Sequence, residues 1–167
     1  AWKVVESKKK RRNRRKKESV NVLITIEPEG INRVNDSEWE LVQMAVDSGA
    51  TETVVGEGIL SAIELKDSPA SKRGVEYEVA NGEKIPNLGE KHFAGISEEG
   101  IERFITAQVC DVNKPLLSVK KVVSAGNRVV FDPTGSYIED QATGEKMWLK
   151  EEGGMYVLQM WVRPQPF

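Results

Sequence analysis

The sequence has very little cysteine or histidine and no long apolar run. The 167 residues include one cysteine, Cys110, and one histidine, His92. No internal disulfide can therefore form, and the usual set of zinc ligands is missing. We therefore expect no metal and no cofactor. No apolar run approaches the roughly 20 residues of a membrane-spanning helix, and the first residues lack the order of a signal peptide. These absences predict a soluble intracellular protein, cytoplasmic or nuclear, with no membrane partner.

Charge is divided unevenly along the chain. Nine of the ten residues from Lys8 to Lys17 are Lys or Arg, whereas residues 19–167 hold 14 basic and 24 acidic residues, a net charge of -10. We expect residues 1–19 to be a disordered basic tail and residues 20–38 to be a linker or an N-terminal strand. A basic run of this kind binds nucleic acid or importin, or serves as a solubilising linker within a longer polyprotein.

Short β-type stretches between turn residues predict a mainly antiparallel β fold. One short helix is expected at Ser118–Ala125, where valines fall at helical spacing before Gly126, and a second is possible at Glu57–Leu65. The expected strands are Val22–Ile26, Trp39–Val46, Val75–Ala80, Phe104–Val112, Arg128–Phe131, Ser136–Glu139, Lys146–Leu149 and Met155–Val162.

Several dipeptides predict hairpin turns. Asn81-Gly82 is the pair favoured in a type I′ turn, and Thr143-Gly144 and Gly153-Gly154 separate other expected strands. Asn87-Leu88-Gly89 competes with Asn81-Gly82 as the tip of a hairpin in this region.

The strongest chemical signal is Asp47-Ser48-Gly49-Ala50, directly after an apolar strand. A carboxylate at the end of a strand, followed by a hydroxyl residue and glycine, is held rigidly at the mouth of a sheet. Such a position suits a general acid or base. Taken alone, however, an Asp-Ser-Gly tripeptide is more typical of an ordinary turn.

The segment from Asp47 to Val55 resembles the active-site loop of retroviral-type aspartic proteases, the retropepsin family. Lys114–Phe131 resembles the paired hydrophobic residues, short helix, glycine and last strand that close a retropepsin subunit, with Ser118 where these proteins usually have glycine. The ending is similar to that of copia-type retrotransposon proteases. The segments that carry this last similarity are Tyr137–Asp140, Gly144–Lys146 and Gly154–Leu158.

This resemblance implies a small closed β-barrel with one lobe per chain, formed by residues 39–135 and followed by a C-terminal β extension at 136–167. It implies that Asp47 is catalytic, that Ser48 braces two such loops by hydrogen bonding, and that Gly49 lets the substrate backbone approach. Ala50, Leu116, Leu117 and Val54 or Val55 would contact substrate, although core packing explains these leucines and valines equally well.

Aspartic proteolysis requires two carboxylates that share one proton. Asp111 and Asp132 are not followed by Ser or Thr and then Gly, so the chain supplies one such loop. Within this interpretation the active form is a homodimer with Asp47 on the two-fold axis.

A cleft of this kind needs a lid that excludes water and pairs with an extended peptide. The stretch Val75–Pro86 has the pattern of two strands around Asn81 and Gly82, which predicts that these two residues contact substrate. An ordinary surface hairpin has the same pattern.

The predicted function is endopeptidase action on extended peptides, as in the processing of a retroelement polyprotein. The alternative is a catalytically inactive domain of the same fold, either a retroelement remnant or a host module, that binds partners and carries the basic tail on nucleic acid.

Overall fold

The computed structural model describes residues 39–163 of the chain. These residues contain twelve strands and two short helices. The expected basic tail, the linker with its strand at Val22–Ile26, and residues 164–167 lie outside the described residues. The strands are β1 Glu40–Asp47, β2 Val54–Val55, β3 Glu76–Glu78, β4 Lys84–Pro86, β5 Gly89–Ser97, β6 Glu102–Val109, β7 Leu116–Ser118, β8 Asn127–Val130, β9 Tyr137–Asp140, β10 Lys146–Trp148, β11 Lys150–Glu152 and β12 Met155–Val162. The helices are α1 Pro69–Lys72 and α2 Val119–Ser124.

The largest sheet has the order β1-β7-β2-β6-β5-β12-β11, and an additional pairing of β1 with β12 closes the first six of these strands into a ring. Strand β1 runs antiparallel to β12, from Glu40 opposite Val162 to Ala45 opposite Val157. On its other edge, β1 runs parallel to β7. The prediction of a mainly β protein is confirmed.

Alternating apolar residues on the paired strands build the main core. Val42 lies opposite Met160, and Met44 lies opposite Leu158, so both strands direct their buried side chains to the same face of the sheet. All four side chains are almost fully buried. The buried members of this core are Val42, Met44, Val55, Leu60, Phe93, Ala107, Val109, Leu117, Ile138, Met147, Leu158, Met160 and Val162.

Residues expected to form a C-terminal β extension contribute to two sheets. Strands β9 and β10 form a three-stranded sheet with β8, and this sheet directs Ile138 and Met147 into the main core. Strand β12 is paired with β1, β5 and β11. The boundary expected at residue 135 therefore lies between two paired strands, β8 and β9.

The expected helix at Ser118–Ala125 is confirmed as α2, with Ser118 as its N-cap and Ala125 as its C-cap. The second short helix, α1, lies at neither of the two expected segments, because Ser68 and Ser71 form a capping box that begins a helix at Pro69.

The expected helix at Glu57–Leu65 is wrong. These residues form turns around Leu60, which has a φ of 57° and a fully buried side chain. The carbonyl groups of Ile59 and Leu60 accept hydrogen bonds from Lys91 Nζ, at 3.0 and 2.8 Å. The backbone bonds within the segment are those of turns, such as that from the Ile63 amide to the Leu60 carbonyl oxygen at 2.9 Å, and the Lys91 side chain from β5 supplies further donors.

Strand β5 begins at Gly89, where another segment of backbone approaches very closely. Gly89 has a φ of 136°, and a Cβ atom there would lie 2.5 Å from the carbonyl oxygen of Lys66. Glu90 exchanges two backbone hydrogen bonds with Lys66, at 2.8 and 3.0 Å. Both the dihedral angle and the contact with Lys66 therefore require glycine at this position.

We predict that Gly89→Ala lowers the free energy of unfolding by about 3 kcal/mol, because it combines backbone strain with a steric clash. Gly58→Ala is the matched control, since Gly58 has open space around its Cα, and it should change the value by less than about 0.5 kcal/mol. Denaturant unfolding of the two variants tests this, and equal destabilisation would contradict it.

Candidate active site

Asp47 is the last residue of β1 and is half-buried, whereas Ser48 and Gly49 are exposed. The Gly49 amide donates a hydrogen bond of 2.7 Å to Asp47 Oδ1, and the Ala50 amide makes a longer one of 3.4 Å to the Asp47 carbonyl oxygen. A Cβ atom on Gly49 would lie 3.3 Å from Asp47 Oδ1. The structure thus brings the four predicted residues Asp47–Ala50 into one turn with an oriented carboxylate.

Ser118 holds this turn in place, a role that the sequence alone did not reveal. It lies opposite Asp47 in the parallel pairing of β1 with β7 and is completely buried. Its hydroxyl donates to the Ala50 carbonyl oxygen at 2.8 Å and accepts from the Lys121 amide at 3.1 Å. Its own amide donates to Thr53 Oγ1 at 3.0 Å. One serine therefore connects both ends of the Ala50–Thr53 segment to the start of α2.

The residues expected to contact substrate are divided between two environments. Leu117 and Val55 belong to the main core, where core packing accounts for them. Leu116 and Val54 instead belong to a smaller second cluster, which lies beneath the β3–β4 hairpin. Its buried members are Val54, Ile85 and Cys110, with Tyr77, Val79, Val112 and Leu116 packed against them.

The β3–β4 hairpin confirms that Asn81-Gly82 is a hairpin tip. The Gly82 amide bonds the Val79 carbonyl oxygen at 2.8 Å, and both Asn81 and Gly82 are exposed. The predicted type I′ geometry is wrong, because Gly82 has a φ of 87° but Asn81 does not have a positive φ. Asn81 Oδ1 instead accepts a hydrogen bond from the Glu83 backbone amide at 2.8 Å, and this local bond stabilises the turn that is observed.

Asn87-Leu88-Gly89, the competing tip, joins β4 to β5 and is not a hairpin tip. Asn87 is only 6% exposed. The backbone amide of Asn87 donates to the Val75 carbonyl oxygen at 2.9 Å, so this segment lies at the base of the hairpin.

Tyr77 links the hairpin electrostatically to the loop that follows Asp47. Burial raises the pKa of the Tyr77 hydroxyl, the hydrogen bond with Asn87 opposes this effect, and the negative charge of Glu52 raises it further. Glu52 also forms an exposed ion pair with Lys121, at 3.6 Å, which contributes little to stability. The hairpin also shares the second cluster with Leu116, which lies opposite Ala45 near the end of β1.

Neither Asp111 nor Asp132 lies in a turn like that of Asp47. Asp111 and Asp132 are both exposed, and Asp132 Oδ2 accepts a hydrogen bond from the Thr134 hydroxyl within its own turn.

Within residues 39–163, no three His, Cys, Asp or Glu side chains are grouped so that they could hold a metal ion. Neither helix of this region is long and apolar enough to cross a membrane.

In comparisons with known proteins, no family model, curated protein or solved structure matched the chain.

We predict that Ser118→Ala lowers the free energy of unfolding by about 2 kcal/mol and loosens the Asp47 turn, because it removes a helix cap and a buried hydrogen bond. Amide hydrogen exchange at Ala50 should become about tenfold faster. Ser136→Ala is the matched control, since Ser136 is another buried serine, bonded to Asp132 in a different turn. An equal effect of both variants on Ala50 exchange would contradict the role of Ser118.

Proposed function

We propose that this protein is an aspartic endopeptidase of the retropepsin type, with a small closed β-barrel as its subunit. One observation supports this most directly: the turn at the end of β1 presents the Asp47 carboxylate beside exposed Ser48 and Gly49. The two regions of sequence that resemble retropepsins are adjacent in space, because Asp47 pairs with Ser118. The closing of six strands into a ring agrees with a barrel.

The proposed chemistry requires two chains. The charged member of an Asp47 pair accepts a proton from water, and the protonated member polarises the scissile carbonyl group. The water oxygen bonds to the carbonyl carbon, and the C–N bond then breaks as the carboxyl pair gives one proton to the leaving amine and so returns to its singly protonated state. Ser48 braces the two turns across the two-fold axis, and the absence of a Cβ on Gly49 leaves room for the substrate backbone.

The proposed substrate is an extended peptide, such as a cleavage site in a retroelement polyprotein. The hairpin would cover it, with Asn81 and Gly82 at the tip pairing with its backbone. Leu116, on the second cluster beneath the hairpin, would contribute to an apolar pocket, and Ala50 would contact the peptide beside Asp47.

The basic run at residues 8–17 adds a proposed second partner, nucleic acid or importin, in an intracellular protein that is cytoplasmic or nuclear. The contrast with the net charge of -10 on residues 19–167 supports this, since the remainder of the chain repels polyanions.

We predict that Asp47→Asn reduces peptide cleavage by at least about a thousandfold, because an amide can neither accept the proton from water nor share one with its partner. The fold should persist, since the side chain keeps its size. The amide oxygen of Asn at position 47 can still accept the hydrogen bond from the Gly49 amide, as Asn81 Oδ1 accepts one from the Glu83 amide. Asp111→Asn and Asp132→Asn are the controls and should cleave at the parent rate. Cleavage of a peptide library at mildly acidic pH, with and without a transition-state inhibitor of aspartic proteases, provides the measurement.

Cleavage by the Asp47→Asn protein at the parent rate would exclude the aspartic mechanism. If the folded parent protein cleaves no peptide under any of these conditions, the alternative of a non-catalytic binding domain replaces the proposal.

We also predict that activity requires a dimer, because each chain supplies one half of the carboxylate pair. The specific activity should fall on dilution in parallel with the dimer fraction measured by sedimentation. Mixing the parent with an equal amount of Asp47→Asn protein should leave about one quarter of the dimers with two parent chains, whereas added Asp111→Asn protein should not inhibit. Full specific activity where sedimentation detects only monomer would contradict the proposed mechanism.

A further inference from the structure

Asn87 is a buried amide whose hydrogen-bonding groups are fully used. Its Nδ2 donates to the Tyr77 hydroxyl and to Gln108 Oε1, both at 2.8 Å. Its Oδ1 accepts from the Ser68 hydroxyl at 3.1 Å and from the Gly89 amide at 2.8 Å. A primary amide offers two donors and two acceptor sites, so all four are satisfied at a residue that is 6% exposed.

The partners of Asn87 come from separate elements of the fold. Ser68 caps α1, Tyr77 is the central residue of β3, and Gln108 is near the end of β6. The backbone amide of Asn87 also bonds the Val75 carbonyl oxygen. One side chain therefore joins the hairpin and α1 to the main sheet.

The orientation of this network is set from its far end. Gln108 Nε2 donates to Glu90 Oε1 at 3.1 Å, and this bond is the main cause that lowers the pKa of the Glu90 carboxyl group. A carboxylate accepts and does not donate, so Gln108 must turn its Nε2 toward Glu90 and its Oε1 toward Asn87. Asn87 must then direct its Nδ2 toward Gln108 and, with its second proton, toward Tyr77.

The network also reaches the loop that follows Asp47. The backbone amide of Gln108 donates to the Thr53 carbonyl oxygen at 2.8 Å, and Thr53 Oγ1 accepts from the backbone amide of Ser118. On the hairpin side, Tyr77 packs against the second cluster, which includes the buried Cys110. Breaking the Asn87–Tyr77 bond would therefore remove the side-chain link from β3, through Asn87 and Gln108, to β6.

We propose that Asn87 is a positioning residue that latches the β3–β4 hairpin, through the Tyr77 hydroxyl, over the second cluster. The latch itself stands on the contacts of Asn87. Its consequence for catalysis rests on the proposed function: a latched hairpin holds an extended peptide in place, and an unlatched one binds it more weakly.

The single cysteine provides a direct measurement of the latch. Cys110 is 1% exposed beneath the hairpin, and burial raises the pKa of its thiol to about 11. In the folded protein it should therefore react slowly with a thiol reagent near neutral pH, and opening of the hairpin should limit the rate.

Tyr77→Phe removes the latching hydroxyl and keeps the ring that packs on the second cluster. We expect it to accelerate Cys110 labelling in native buffer about tenfold, while amide exchange of Met44 in β1 stays at the parent rate. Tyr156→Phe is the matched control, since Tyr156 lies on β12 and its ring contacts Phe131, and it should leave labelling unchanged. Asn87→Ala should exceed the effect of Tyr77→Phe, and if it fails to fold, Tyr77→Phe alone decides.

Labelling of Tyr77→Phe at the parent rate would overturn the latch. So would an equal acceleration of labelling and of Met44 exchange, because global unfolding would then explain both.

Peptide cleavage tests the catalytic consequence separately. Tyr77→Phe should raise KM several-fold with kcat nearly unchanged, and Tyr156→Phe should leave both at the parent values. If Tyr77→Phe instead lowers kcat and leaves KM unchanged, the latch does not hold the peptide, and that role is overturned. If labelling responds as expected but the parent protein cleaves no peptide, the latch stands and the proposed protease function fails.

Discussion

Strand β1 is paired on both of its edges, and this double pairing determines where Asp47 stands. Antiparallel pairing with β12 places Val42 and Met44 in the core, and parallel pairing with β7 sets Asp47 opposite Ser118. A slip of one residue in the first register would expose the buried residues of β1. The apolar pattern of two strands therefore fixes the position of a carboxylate that lies outside the core.

The same pairing explains which parts of the site the sequence could predict. The turn at Asp47–Ala50 follows from local residue types after an apolar strand, and α2 follows from the spacing of its valines. The contact of Ser118 with Ala50 joins residues 68 positions apart, and that of Asn87 with Gln108 joins residues 21 positions apart. No local pattern encodes such contacts, because they depend on which strands become neighbours.

Lys91 shows why part of the fold could not be predicted. It occupies an inward position on β5, next to an exposed His92 and before a buried Phe93, so a charged residue interrupts the apolar alternation that marks a strand. Burial lowers the pKa of its ammonium group, while Glu40 and Glu57 oppose that effect. Its bonds to the Ile59 and Leu60 carbonyl groups offset the cost of burial. Those bonds also stabilise the turns where a helix was expected.

The β3–β4 hairpin is a separate two-stranded sheet, and it is held differently from the strands of the main sheet. A two-stranded hairpin has little stability alone, and this one packs on the smaller of the two apolar clusters. Its β3 strand alternates exposed Glu76 and Glu78 with a half-buried Tyr77, so it buries little apolar surface. In its proposed role as a lid, the hairpin must open at a modest energetic cost while the core stays closed. Attachment through a few directional hydrogen bonds at Asn87 meets both conditions, because one bond can break without disturbing the pairing of β1 with β12.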